Sequence, residues 1–224
     1  MTALSKRLSV IASLVPKGAR VCDVGTDHGY LSIYLKETGI AKSVIAADIN
    51  EKPLKTAKKN IERLGVGGIE LRLCDGLSGV KKNEIDVAVI AGMGGEVISG
   101  IIQRGKDIPK SGITLILQPT TSPEFLRKFL NQNGYEIVRE VPVMDNRKLY
   151  SVMVCTFTGK DETKEDYYYY IGGLTAETDE GKRYIEKQHL RLSKCAQALK
   201  NIPSKREEYI YLKEISEKIK EILG

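Results

Sequence analysis

The stretch VCDVGTDHGYLSIYL, residues 21–35, decides how the chain is read. Residues 21–24 form a short strand-like run, 25–29 a glycine turn, and 30–35 the apolar opening of a helix. A strand that turns at glycine into a helix is how nucleotide sites begin in open α/β sheets. This turn departs from the phosphate-binding pattern. Gly25 and Gly29 are four apart, so the G-x-G-x-x-G spacing is missing. Asp23, Asp27 and His28 stand where a diphosphate needs open backbone amides and little negative charge.

Outward from this turn the chain alternates. Residues 3–15 place Leu4, Leu8, Ile11, Ala12 and Val15 on one helical face, with Lys6 and Arg7 off it, and Pro16 to Gly18 end that helix. Strand-like runs follow at 19–24, 43–49, 69–74, 85–92 and 113–118, separated by helical patterns at 28–38, 51–64, 94–104 and 122–133. Strands alternating with helices of ten or more residues predict βαβ units and a parallel sheet. The apolar runs VAVI and ITLIL suit strands buried on both faces. Runs at 135–144 and 148–157, joined by Asp145-Asn146-Arg147, predict an antiparallel hairpin at the end of the sheet. Five parallel strands and a terminal hairpin make the Rossmann-like α/β sheet of seven strands that class I methyltransferases have.

The texture changes after residue 159. Residues 159–166 are polar and read as a linker, so the expected domains are 1–159 and 160–224. The second part is helical: Leu192, Ala196 and Leu199, then Tyr211, Ile215, Ile219 and Ile222, give apolar stripes on two segments parted by Asn201 to Ser204. A coiled-coil-like helical hairpin is the expectation.

Composition bounds the function. The net charge of +6 lies entirely in residues 1–159, which hold 22 basic against 16 acidic residues; residues 160–224 hold 13 of each. A moderate basic surplus is compatible with a polyanionic partner and does not by itself require one. Cys22, Cys74, Cys155 and Cys195 are scattered, with His28 and His189 the two histidines, so no metal site is expected and the thiols read as buried and reduced. No leader pattern opens the sequence, and no run reaches the roughly eighteen apolar residues of a membrane span, so a soluble cytoplasmic protein is expected, with no membrane partner.

Ligands of such sheets bind beyond the carboxyl ends of the strands. The candidates are therefore Asp23, Gly25, Thr26, Asp27, His28, Gly29 and Tyr30 after the first strand, Asp48-Ile49 after the second, and Asp75-Gly76 after the third. Ala91-Gly92-Met93-Gly94-Gly95 follows the fourth and Gln118-Pro119-Thr120 the fifth. Asp48 can accept both hydroxyl protons of a ribose, a task common to NAD and S-adenosylmethionine sites, and Asp75 can accept an adenine amino proton. The first turn separates the two cofactors. Its carboxylates repel a pyrophosphate and attract the ammonium and sulfonium of S-adenosylmethionine. Each residue alone has a structural reading, as a helix cap or turn former. Carboxylates at the ends of three successive strands are the signal.

Residues 4–20, VCDVGTDHGYLSIYL, AADIN, LCDGL, IAGMGGEVI and LILQP, with the helical tail, resemble the bacterial tRNA (adenine-N1-)-methyltransferase family that modifies A22 of the D-arm. The resemblance covers essentially the whole chain. It implies a seven-stranded S-adenosylmethionine domain followed by a coiled-coil domain, with tRNA as partner; the sequence itself requires no oligomer. Carried over by motif, Asp23, Gly25, Asp27, His28 and Gly29 meet the methionine and sulfonium end, Asp48 the ribose, and Asp75-Gly76 the adenine. The Asn/Asp-Pro-Pro-aromatic box of amino-methyltransferases is absent at 91–95, which fits a ring-nitrogen target. Thr120 stands where the family usually has Asn, and Arg7 falls in the family's R-L motif.

On this reading His28 is the candidate to orient the base or receive a proton, and Asp27 to stabilise the cationic product ring. Met93, Gly94, Gly95, Gln118 and Pro119 are candidate contacts for a flipped base, and Arg7, Arg147 and Lys148 for phosphates. Two alternatives stay open: the same cofactor with a protein or small-molecule acceptor, and a non-catalytic RNA-binding or scaffold protein.

Overall fold

The structure is a computed structural model that describes residues 2–105 and 107–224. Seven strands form one sheet: β1 (Ala19–Val24), β2 (Ala41–Asp48), β3 (Ile69–Leu73), β4 (Val87–Gly94), β5 (Thr114–Thr121), β6 (Tyr135–Asp145) and β7 (Lys148–Phe157), in the order β3-β2-β1-β4-β5-β7-β6. The first five run parallel; β7 pairs antiparallel with both β5 and β6. This is the Rossmann-like seven-stranded sheet with an antiparallel terminal hairpin that the sequence predicts. The order reverses between β1 and β4, so their carboxyl ends open a crevice there.

Side-chain alternation divides the core between two faces. Cys22, Val24, Ala88, Ile90, Leu115 and Leu117 point to α4 (Gly95–Arg104) and α5 (Pro123–Gln132). Val21, Val44, Val87, Val89 and Ile116 point to α1 (Lys6–Leu14) and α2 (Tyr30–Glu37). α3 (Glu51–Leu64) covers β2 and β3. Each of these strands is therefore apolar on both sides, which is why their sequences read as near-continuous hydrophobic runs. β4 and β5 continue past those runs to Gly94 and Thr121, with register shifts around Met93. Main-chain pairing does not need apolar side chains, so β4 runs two residues past the expected strand end at 92, through Met93 to Gly94.

The β6–β7 turn places Asn146 and Arg147 at φ 47° and 63°, the double left-handed geometry of a tight hairpin. Beyond it come α6 (Asp166–Ile171), α7 (Asp179–Leu199) and α8 (Arg206–Leu223). Ile171, Ile185, Leu192, Ile215 and Ile219 make their own small core. Tyr211 and Ile222 of the expected stripe are left exposed. Between α7 and α8, Ser216 Oγ lies 2.6 Å from Ser193 Oγ and 3.0 Å from His189 Nδ1, a polar cluster that bridges the two helices.

Arg127 of α5 ties these helices to the sheet. Its side chain is fully buried; it pairs with Glu140 on β6 and donates to the Tyr169 and Tyr170 carbonyls, Ser151 Oγ and Tyr184 Oη. Of the cysteines, Cys22 and Cys155 are buried as expected, Cys74 is half-buried and Cys195 is exposed on α7. Among the described residues no helix is long and apolar enough to cross a membrane, and no cluster of three or more His, Cys, Asp or Glu could hold a metal ion.

Candidate active site

A pocket of about 570 Å³ opens at the carboxyl ends of β1, β2 and β4. The β1–α2 turn forms its centre. Gly25, at φ 75°, lies under Met93, and a Cβ there would collide with the Met93 methyl group. Gly29, at φ 74°, is the N-cap of α2 and packs on Ala57, whose Cβ would be 3.1 Å from any added one. Gly29 is thus behind the turn and not on the pocket lining, a correction to its assignment as a contact residue.

Three amides of this turn are engaged within the protein. Gly25 N and Thr26 N both donate to the Ala47 carbonyl, at 2.8 and 3.1 Å, and Gly29 N donates to the Thr26 carbonyl at 2.8 Å. A diphosphate would find these three donors turned away from it. The acidic side chains are arranged differently from one another. Asp23 is buried, and its Oδ2 accepts from Thr26 Oγ1 at 2.8 Å and Ser32 Oγ at 2.7 Å. Burial pushes its carboxyl above the ordinary aspartate value, against the opposing pull of those hydroxyls. Asp27 projects outward in the left-handed region, at φ 44°, with its side chain 75% exposed. His28 Nε2 is 3.5 Å from Asp27 Oδ2, and its ring stacks on Tyr30 at 5.3 Å between centroids. Asn60 of α3 donates to the His28 carbonyl at 2.9 Å and pins this corner.

Asp48 ends β2, with one carboxylate oxygen accepting from Asn50 N at 2.8 Å. Asp75, after β3, is paired with Arg104 of α4 at 2.9 and 3.2 Å. Ile49 and Val97 stand exposed on the lining, an apolar pair suited to a flat ring. Gly76, Ala91 and Gly92 complete the wall. The sequence reading missed Val97, Ile101 and Arg104. Their signal was present: positions 97, 101 and 104 share one helical face directly after the AGMGG segment.

Arg7 reaches the pocket from α1. It donates to Gln118 Oε1, which also accepts from Gly92 N at 3.1 Å, while Gln118 Nε2 donates to the Pro119 carbonyl at 2.8 Å. Gln118 is fully buried, so its expected contact with a base gives way to a bracing role between Arg7 and the β4 end. Gly95 is likewise buried, its Cα pressed against the Ser122 carbonyl, and neither it nor Gly94 lines the pocket. Pro119 faces a neighbouring cleft. Arg147 lies in the hairpin turn and Lys148 at the start of β7, both outside the lining.

Known proteins share this sequence pattern and fold. A family model described as a methyltransferase domain matches residues 4–153. The tRNA (adenine(22)-N(1))-methyltransferase of Bacillus subtilis is 38% identical over 159 residues, covering 70% of this chain and 67% of that protein. The crystal structure of the B. subtilis M1A22 tRNA methyltransferase TrmK superposes with a TM-score of 0.88 at 28% identity, over 100% of both chains. M. capricolum TrmK in complex with S-adenosyl-homocysteine superposes with a TM-score of 0.81 at 28% identity, over 98% of this chain and 97% of that one. The chain belongs to the methyltransferase domain family and, within it, to the bacterial tRNA (adenine-N1-)-methyltransferases that modify A22.

Proposed function

We propose that the protein transfers a methyl group from S-adenosylmethionine to N1 of adenine 22 in tRNA. The observation that carries the cofactor half is the β1–α2 turn: its amides at 25, 26 and 29 are bonded internally while Asp27 projects beside the pocket. That donor set fits a cationic nucleoside without phosphates. Asp48 accepts the ribose hydroxyls, Ile49 and Val97 clasp the adenine, and Asp75 with Gly76 meets its edge beside Arg104. Asp23, Gly25, Thr26, Asp27, His28 and Tyr30 surround the methionine end, with Ala91, Gly92 and Met93 opposite.

When bound, S-adenosylmethionine supplies an electrophilic methyl on a sulfonium. Adenine N1 is a neutral lone pair near pH 7, so the new C–N bond forms as the C–S bond breaks, with the electron pair passing to sulfur. No strong base is required; orientation and exclusion of water are. Arg7, braced by Gln118, fixes the β4 end where the base enters. The Asp27 carboxylate and the carbonyls of 91–94 face the positive charge left on the ring. His28, stacked on Tyr30, orients the incoming base. Because N1 lies on the Watson–Crick edge, the adenine must leave its stack, and Met93 is the flexible apolar contact that receives it.

Residues 1–159 carry this chemistry, and the helical domain 160–224 extends the platform for RNA. A cytoplasmic location fits a tRNA substrate. The test is mass spectrometry of nucleosides from tRNA incubated with protein and cofactor, with the position mapped by a transcript carrying A22→G. N1-methyladenosine that disappears with the A22→G transcript is expected; methyl transfer confined to protein or small molecules, with none to tRNA, overturns the proposal.

A further inference from the structure

Beside the cofactor pocket lies a second cleft of about 390 Å³, between the end of β5, the start of β7 and helix α7. The two share walls. Thr120 Oγ1 donates to the Met93 carbonyl at 3.0 Å, and the Arg7 guanidinium lies 5.9 Å over the Tyr150 ring. Met93 and Arg7 line the first pocket, Thr120 and Tyr150 the second.

The floor of this cleft is polar and incompletely bonded. Gln188 of α7 is only 5% exposed, yet its Oε1 has no hydrogen-bond partner among the described residues. Glu124 Oε2 is buried and unpartnered in the same way, while its Oε1 accepts from both terminal nitrogens of Arg191, at 3.0 and 3.1 Å. Both side chains line the cleft, and an acceptor shielded from water without a partner calls for a group that donates. The rim is cationic. Lys187 stands there, donating to the Leu149 carbonyl at 3.4 Å, with Arg191 and Lys148 close enough to repel it. Burial and those two cations hold its ammonium below the ordinary lysine value, so a further anion would relieve the crowding. Hydroxyl donors joined to an anion describe a ribose-phosphate.

We propose that this cleft binds the ribose-phosphate of a nucleotide flanking the target adenosine, Lys187 meeting the phosphate and Gln188 Oε1 accepting from the 2′-hydroxyl. The proposal rests on the reading that the substrate is RNA. It makes the junction of sheet and tail a second contact point, which holds the strand while the adjacent base enters the pocket.

The test compares full-length wild type, Lys187→Ala and Gln188→Leu with a tRNA transcript. KM for tRNA rises about tenfold in each variant, with kcat within about twofold and the stabilisation by S-adenosylmethionine unchanged. The slope of log affinity against log salt falls by about one for Lys187→Ala and stays the same for Gln188→Leu. Removing the 2′-hydroxyls that flank the target raises KM for wild type and not for Gln188→Leu. Lys187 is exposed, so its variant folds even where Gln188→Leu does not. An unchanged KM and salt slope in Lys187→Ala overturns the proposal. Wild type that methylates no tRNA refutes the proposed function instead, and the affinity and salt arms then judge the cleft alone.

Discussion

Two polar regions of this molecule treat charge in opposite ways. At the junction of the sheet with the tail, Arg127 and Glu140 are both buried, and the guanidinium also meets two carbonyls, a serine and a tyrosine. In the cofactor pocket, Asp27 and His28 are open to solvent, and Asp48 keeps bonding capacity beyond its contact with Asn50. The Arg127 network is finished: each guanidinium nitrogen has an acceptor among its neighbours. The pocket is unfinished, its polar atoms held in place by neighbours yet still able to bond. Buried polar groups that are satisfied fix one geometry, whereas those left open mark where a ligand completes the structure.

The sharpest break of this contrast is Arg127→Ala. It strands the Glu140 carboxylate in the core, and chemical denaturation is expected to show a loss of about 3–5 kcal/mol. Replacing both partners, Arg127→Met with Glu140→Leu, restores most of that loss, because a packed apolar pair leaves no buried charge uncompensated. A single variant within about 0.5 kcal/mol of wild type would show that the junction is not what joins tail to sheet.

In the pocket the same kind of change should act on ligand and not on fold. Asp48→Ala is expected to cost S-adenosylmethionine binding about 2–3 kcal/mol, roughly a hundredfold, measured by calorimetry. The ligand-free melting temperature stays close to wild type, since this carboxylate closes no buried network. A large fall in that temperature with affinity intact would reverse the contrast.

His28→Ala comes next. The single-turnover rate on tRNA is expected to fall about tenfold while cofactor affinity holds, as for a group that orients the base. An undiminished rate would leave His28 as a wall of the pocket.

The smallest effect is that of the surface pairs. Hydrogen bonds from Arg72 and Arg20 hold the Glu84 and Asp86 carboxyls down at about 2. A depressed folded value means stability that is present above the ordinary carboxylate range and lost as pH falls toward 2. Both pairs touch solvent, so the change is modest. Melting temperature followed from pH 5 to 2 should fall less steeply in Glu84→Gln than in wild type; parallel curves would remove this pair from the account.

Much of this was legible in the sequence because period and turn chemistry are local. Residues 19–24, 51–64 and 148–157 form the elements their patterns predict, to the residue. The strand-end acids were legible too, since topology alone brings Asp48 and Asp75 to one crevice. What stayed hidden depends on partners distant in sequence. Arg127 sits among Phe and Leu in α5 and reads as an exposed charge; its acceptors arrive 13 and 42 residues later. Gln118 looked like a mouth residue, and only the position of α1 shows that it braces Arg7. The pairing of Asp75 with Arg104, and the open acceptors of Gln188 and Glu124, belong to the same class.

The claim on which the rest depends is that the first turn, with the amides of 25, 26 and 29 engaged and the Asp27 carboxylate outward, selects a cationic methyl donor over any diphosphate nucleotide. Calorimetric titration of the ligand-free protein with S-adenosylmethionine, S-adenosyl-homocysteine and NADH measures this directly. Saturable binding of the first two with no heat from NADH is the predicted result. Tight NADH binding with none of S-adenosylmethionine would contradict it.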